Sequence, residues 1–428
     1  MREMKNSGTP WIGEIPADWS LIRFKDKYKS IKEIARERSS EYERLALTLN
    51  GVIKRPKDDS EGLQPKEFDT YQILEEGDFV FKMIDLQNIS TSRVGLSPYT
   101  GLVSPAYIRF TPKSKDQYNK FVYYYLMSLY YNCVYNNLGG NGVRSALNAT
   151  DMAEFIIPYP SEDTQKHICD FLDSQCSKVD ALIANVESQI EKLKAYKQSL
   201  ISEIITRGLD LIVPTKDSEI LWFGNIPNHW NIAKIKLFAS TCSGGTPPSG
   251  DLTCYDGDIN WACSFDLHEE EIYETGKTLS EKGASLIAGE MQSPNSILIA
   301  MYGGAGTIGN SGLLQCYART NQAICSVHFD EANVYPRYAF YQMMFLRKHW
   351  MYFAAGTRKD PNISQDVVRN MKFVIPPIEE QEQIAAYLDT KCSVIKKLID
   401  TKEQKISRLI EYKKSLIYEY VTGKKEVM

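Results

Sequence analysis

Two stretches of the chain place apolar residues at alternating steps of three and four. Val179, Leu182, Val186, Leu193, Tyr196 and Leu200 mark the first, with Gln189 as its one polar seam position. Ile395, Leu398, Leu409, Tyr412 and Leu416 mark the second, where Lys402 and Lys405 interrupt the stripe. That spacing predicts helices with a single apolar face. Each begins directly after a proline-marked boundary, FIIPYP at 155–160 or FVIPPI at 373–378. At 1.5 Å per residue, segments of roughly 40 residues make rods of about 60 Å. A rod of that length cannot bury its seam alone. It needs the other rod, a partner's helices or, on the blander reading, its own globular domain. A whole domain separates the two rods in sequence, so parallel and antiparallel pairing are both open.

Ahead of each rod the pattern changes. Short β-type runs such as DFVF at 78–81 and AYIRF at 106–110 are punctuated by Gly and Pro, and one helical stretch, KFVYYYLMSLYYN from Lys120, interrupts them. This predicts a mixed α/β domain. A second globular segment, from about 231 to 375, holds CSGGTPPSG at 242–250, DGDINW at 256–261, SILIAMYGGAGTIG at 296–309 and RTNQAI at 319–324.

The order of elements repeats. WIGEIPADW at 11–19 returns as WFGNIPNHW at 222–230, and QKHICDFLDSQCSKVDALI at 165–183 returns as QEQIAAYLDTKCSVIKKLI at 381–399. Leu172, Asp173, Cys176, Leu182 and Ile183 fall on Leu388, Asp389, Cys392, Leu398 and Ile399. A period this long excludes a solenoid, whose units run to about 20 to 50 residues, and predicts a duplicated domain pair. The interiors barely match. Their clearest echo is GVRSALN at 142–148 against GTRKDPN at 356–362.

Composition adds limits. The 428 residues allow two to three domains, and 43% hydrophobic with 24% charged is ordinary for a soluble globular chain. No apolar run at the start resembles a signal peptide and none reaches the length of a membrane helix, which predicts a cytoplasmic protein. Nine cysteines without a CxxC, and five histidines not clustered with them, give a zinc site no spacing. The net charge of −4 hides a pattern. Residues 20–57 carry 11 Lys/Arg against 5 Asp/Glu, residues 301–375 carry 8 against 4, and residues 231–300 carry 4 against 10. Local basic surface permits DNA binding without demanding it.

Chemistry-bearing motifs are few. Gly304, Gly306 and Gly309 spell GxGxxG after an apolar run, but the turn residues Asn310, Ser311 and Gly312 replace the helix a dinucleotide site needs, so a glycine-rich β-hairpin is expected. DPNI at 360–363 lacks the second proline and the aromatic of a DNA-methyltransferase motif, and no GxxxxGK[ST] loop exists. The chain reads as non-catalytic. Tyr123, Tyr124, Tyr125, Tyr130 and Tyr131 could stack on bases, yet on a helix they read as core or partner surface. Arg144 and Arg358, in the echoed segments, could grip phosphate or read guanine, or stay solvated or ion-paired.

Taken in order and in duplicate, these segments resemble the specificity subunit of type I restriction-modification systems, and the resemblance covers nearly the whole chain. SGGTPPSG at 243–250, INW at 259–261, GTIG at 306–309, TNQA at 320–323 and GLVSPAY at 101–107 are similar to segments that recur in its recognition domains. The resemblance implies an α/β (α+β) fold with pseudo-twofold internal duplication. Two target-recognition domains, 1–158 and 211–376, would alternate with helical spacers, 159–210 and 377–428, that pair as an antiparallel coiled coil. Each domain would read half of a bipartite double-stranded DNA target.

Two methyltransferase (modification) subunits would dock on the helices at Val179, Leu182, Val186, Leu193, Ile395, Leu398, Leu409 and Leu416. Restriction/translocase subunits would join them. S-adenosylmethionine and ATP would belong to those partners, leaving this chain without cofactor, metal or membrane contact. DNA contacts are expected at Arg144, Thr246, Tyr302, Gly303, Gly304, Arg319, Thr320, Asn321, Gln322, Arg358 and Lys359. Three rivals remain: a related specificity subunit whose methylation and cleavage partner is one polypeptide, a coiled-coil assembly protein without a DNA role, and an autonomous methyltransferase.

Overall fold

The computed structural model describes residues 2–49, 51–58, 67–84, 86, 92–114, 116–138, 146–303, 306–356 and 361–427. The chain forms two compact units, residues 1–187 with 403–428, and residues 188–402. This division cuts across both helical spacers, so each unit owns one globular domain and parts of two long helices.

Each globular domain is closed by its own first and last strands. In the first unit Ser20–Arg23 pairs antiparallel with Ile156–Tyr159, and the Phe24 N–H donates to the Phe155 carbonyl at 2.8 Å. In the second, Asn231–Lys234 pairs with Lys372–Ile375, and the Ile235 N–H donates to Met371 at 3.1 Å. Among the described residues between these ribbons, the first unit holds two four-stranded sheets, and the second holds one of five strands, one of three and a two-stranded pair of Ala355–Gly356 with Pro361–Asn362. Among the described residues the pairing is antiparallel apart from three short parallel contacts, Leu102 with Arg44, Trp261 with Arg319 and Glu271 with Leu313. The fold is therefore α+β. The glycine-rich segment is a hairpin: Ile297–Ala300 pairs antiparallel with Ser311–Leu314, and Gly309 closes it at φ +79°, a conformation that suits a residue without Cβ.

The long helices run from Glu162 to Arg207, 46 residues, and from Ile378 to Val421, 44 residues. Their ends are built alike. Gln165 and Gln381 are buried at the N-terminal ends, where their side-chain amides donate to the carbonyls of Pro160 (3.0 Å) and Pro376 (2.8 Å). Gly208 and Gly423, at φ +72° and +70°, follow the C-terminal ends as left-handed caps. Within the first unit Phe171 meets Tyr420 and Lys413 grips both carboxylate oxygens of Asp180 at 2.7 Å. Within the second, Lys402 Nζ donates to Gln189 Oε1 at 2.5 Å. Residue numbers rise on one helix as they fall on the other, so the pairing is antiparallel.

The seam differs in register from the stripe expected. Cys176, Val179, Val186, Ile190 and Leu200 are buried, with Ile183 and Leu193 half-buried between them. Leu182 and Leu398 are 46% exposed, and Tyr196 and Tyr412 are 56% and 53% exposed. The helix turns about 100° per residue, so Leu182 lies on the shoulder of the seam that Ile183 enters. Leu416 and Ile395 are buried and Leu409 is half-buried, as seam residues should be. Lys402 occupies a seam position too, where Gln189 meets its charge, while Lys405 is exposed. Among the described residues no helix is long and apolar enough to cross a membrane.

Candidate nucleic-acid interface

One polar anchor joins each globular domain to a long helix at the same repeat position. Asp173 accepts from Tyr124 Oη (2.6 Å) and pairs with Lys120; Asp389 accepts from Tyr341 Oη (2.6 Å) and Arg337 Nε (2.7 Å). Burial raises the phenols of Tyr124 and Tyr341 well above their ordinary range, so both stay protonated donors. The tyrosine-rich helix, Lys120–Tyr131, is accordingly a core element: Tyr125 is fully buried, and Tyr123, Tyr124, Tyr130 and Tyr131 pack on the same core.

In the second unit, residues expected to meet DNA come together from three segments. The loop after Ala239–Ser243 crosses the turn at 319–322 so closely that a Cβ on Gly244 would lie 1.7 Å from the Thr320 carbonyl oxygen. The Gly245 N–H donates to that oxygen at 3.0 Å. Trp261 Nε1 donates to the Gly245 carbonyl at 3.2 Å and Tyr255 Oη to the Pro247 carbonyl at 2.9 Å, which fixes the loop from the opposite side. At its crest Thr246 Oγ1 donates to Gln322 Oε1, and both side chains are exposed. The Met301 N–H donates to the Ala323 carbonyl at 2.7 Å, which sets the exposed Tyr302 and Gly303 beside Gln322.

Other expected contacts do structural work in this geometry. The Arg319 guanidinium donates to the carbonyls of Gly289 (2.7 Å), Ala284 (2.8 Å) and Ile287 (2.9 Å). It therefore ties the floor of the loop together. Thr320 is buried, and Asn321 is half-buried with its Oδ1 accepting from the Ala323 N–H at 3.0 Å. The neighbouring turn is fixed by Lys282 and Thr253, which hold the Asp251 carboxyl far below the usual carboxylate range.

Arg144, Gly304, Arg358 and Lys359 lie outside the described residues. The segments that follow Arg144 and Arg358 are each tied to the end of a strand. The Leu147 N–H donates to the Met83 carbonyl at 3.1 Å, and the Ile363 N–H donates to the Met301 carbonyl at 3.0 Å. Two arginines of the first unit that the pattern did not single out are buried and structural. Arg109 pairs with Asp78 at 2.5 Å, and Arg93 donates to the Ile84 carbonyl at 2.9 Å.

Three consecutive glutamates of the acidic stretch are met by cations. Arg347 pairs with Glu269 (2.7 Å), Lys396 with Glu270 (2.5 Å) and Arg337 with Glu271 (2.8 Å). What remains exposed at the crest is neutral: a hydroxyl, an amide, a phenol and a glycine backbone. Among the described residues no cluster of three His, Cys, Asp or Glu side chains could hold a metal ion. The crest can exchange hydrogen bonds with a ligand through that hydroxyl and amide.

Comparison with known proteins agrees over the chain's length. The family model described as the type I restriction modification DNA specificity domain matches twice, at residues 27–192 and 227–409. The putative type I restriction enzyme MjaX specificity subunit of Methanocaldococcus jannaschii is 23% identical over 395 residues, covering 88% of this chain and 87% of its own. The MjaVIII specificity subunit of the same organism is 23% identical over 399 residues, covering 89% and 88%. A chain from a solved structure concerned with complex assembly and conformational transition of a type I R-M system superposes with a TM-score of 0.68 at 13% identity, covering 95% of this chain and 98% of that one.

Proposed function

The chain belongs to the type I restriction-modification DNA specificity family, and on that premise we propose how its parts divide the work. It is a specificity subunit with two target-recognition domains. Each domain binds one half of a bipartite DNA target. The chain itself performs no chemistry; modification subunits supply methyl transfer, and restriction subunits supply translocation and cleavage.

The observation that carries this reading is one frame around two interiors. The closing ribbons, the glutamine-capped helix starts and the Asp173 and Asp389 anchors recur, whereas the sheets between them differ in strand number and order. A retained frame suits a shared assembly surface, and divergent interiors suit two different half-sites. Exchange of residues 24–155 for the matching segment of another such subunit tests it. Methylome sequencing should find one half-site changed and the other kept; no change in either half would sink the reading.

Two modification subunits fit two equivalent patches. The antiparallel register sets exposed Leu182 and Tyr412 at nearly the same level in the first unit, and exposed Tyr196 and Leu398 within one helical turn of each other in the second. An apolar pair repeated in each unit suits one copy of a partner per unit. The helices also serve as a ruler. Matched seven-residue deletions, one from each long helix, remove about 10 Å of rod. They should shorten the preferred gap between half-sites by about three base pairs; an unchanged gap in a binding-site selection defeats the ruler.

A further inference from the structure

We propose that Gln322 reads an adenine in the half-site bound by the second recognition domain, with Thr246 holding its amide in the reading orientation; this rests on the function proposed above. Gln322 is exposed at the crest of the loop crossing, and its Oε1 accepts from Thr246 Oγ1. An amide oxygen has two lone pairs, so one stays available. Among the described residues the Gln322 amide nitrogen has no hydrogen-bond partner. A glutamine with one oxygen lone pair and one N–H free can accept from adenine N6 and donate to N7, a bidentate pairing open in the major groove.

Alignment is what makes the pair selective. A free glutamine side chain samples many rotamers and loses that freedom on binding. Here the Thr246 hydroxyl fixes the amide plane, and Thr246 is itself fixed. Gly244 permits the close crossing over Thr320, and Trp261 and Tyr255 hold the loop's carbonyls from the far side. Arg319 supports the floor through three carbonyls and is a positioning residue for this crest.

A phosphate contact is the competing use of the same surface, and the groups at the crest do not favour it. Thr246 lies in the stretch from 231 to 300, with 4 Lys/Arg against 10 Asp/Glu, and Gln322 in that from 301 to 375, with 8 against 4. The arginine nearest to Gln322 in sequence, Arg319, gives its guanidinium to backbone carbonyls. A neutral hydroxyl and amide, with no free cation beside them among the described contacts, suit base edges better than a phosphate.

The test uses the full chain assembled with its modification subunits, with binding-site selection on duplex DNA and binding measured across a salt series. Gln322→Ala should lose roughly 5- to 150-fold of discrimination at one position of one half-site. Gln322→Glu should move that position from adenine toward cytosine, whose N4 donates to a carboxylate. Thr246→Val, which keeps the amide but frees it, should lose less at the same position and serves if the Gln322 variants fail to fold. The salt slope should not change. Uniform weakening across all sequences, with the slope reduced by about one, marks a phosphate contact and overturns the proposal. An unchanged half-site in these variants, when exchange of residues 235–371 does change it, overturns the Gln322 reading alone. An exchange that changes neither half-site overturns the recognition function itself.

Discussion

Trp19 and Trp230 close the same repeated motif and are both buried, yet they are held differently. Trp230 Nε1 donates to Glu380 Oε2 at 3.1 Å, and His229 Nε2 meets the same carboxylate oxygen at 2.8 Å. Trp19 Nε1 is buried without a partner, and the Arg2 guanidinium lies over its ring at 5.7 Å. The anchors below them differ in the same sense. Asp173 ends with Lys120 and Tyr124, while Arg337 on Asp389 continues to Glu271 and so to the interior of its own recognition domain. One packing plan therefore supports two electrostatic plans, and at these two matched sites the second unit brings more charged partners to the frame.

The largest test of that difference is truncation of the tryptophans. Trp230→Ala and Trp19→Ala should each cost about 3–5 kcal/mol, read as a loss of denaturant midpoint. Similar costs would show that packing dominates in both units. Trp→Phe separates the polar share. Trp230→Phe forfeits a hydrogen bond to a carboxylate, about 1.5–3 kcal/mol, and Trp19→Phe forfeits none. Equal losses would erase the distinction.

A smaller effect should appear with pH. Burial, with Lys348 adding to it, lowers the His349 imidazole to about 4 from its ordinary 6.5, and the ring stacks on Trp222 at 5.4 Å. The unfolded chain then binds the proton more readily than the folded one. Stability of the second unit should be flat above pH 6.5 and fall as the pH drops from 6.5 toward 4. His349→Phe keeps the stack and should flatten that slope; an unaltered slope assigns the effect elsewhere.

Asp389→Asn should cost about 1 kcal/mol more than Asp173→Asn, a modest difference because the side chains of Arg337 and Asp389 remain 25% and 37% exposed. Smallest of all is salt. The pairs at Glu269, Glu270 and Glu271 are partly exposed, and each should weaken by a few tenths of a kcal/mol in high salt. An unchanged salt dependence after Glu269→Gln, Glu270→Gln and Glu271→Gln would show that these pairs contribute nothing.

Repetition and periodicity exposed the duplication, the two rods and the glycine hairpin, because those features depend on the order of residue types along the chain. Seam register was harder. The stripe through Leu182 and Leu398 and the one through Ile183 and Ile399 are adjacent on the helix, and only packing against the opposite helix decides between them. Lys402 looked like a break in the stripe until Gln189 met it across the seam. Arg319 looked like a reader of DNA because its type suits that task, whereas its three carbonyl partners come from 284–289, a segment no local pattern links to it. The convergence of Thr246, Tyr302 and Gln322 depends likewise on strand pairing far apart in sequence.

The closing ribbons carry a consequence in polymer terms. Since each interior leaves and rejoins the frame through one pair of adjacent strands, it is a pendant loop whose ends are already brought together. The entropy of closing such a loop grows with the logarithm of its length, about 0.6 kcal/mol per doubling. The frame is thus nearly indifferent to how much chain it carries, and a far larger or smaller interior could hang from the same two strands.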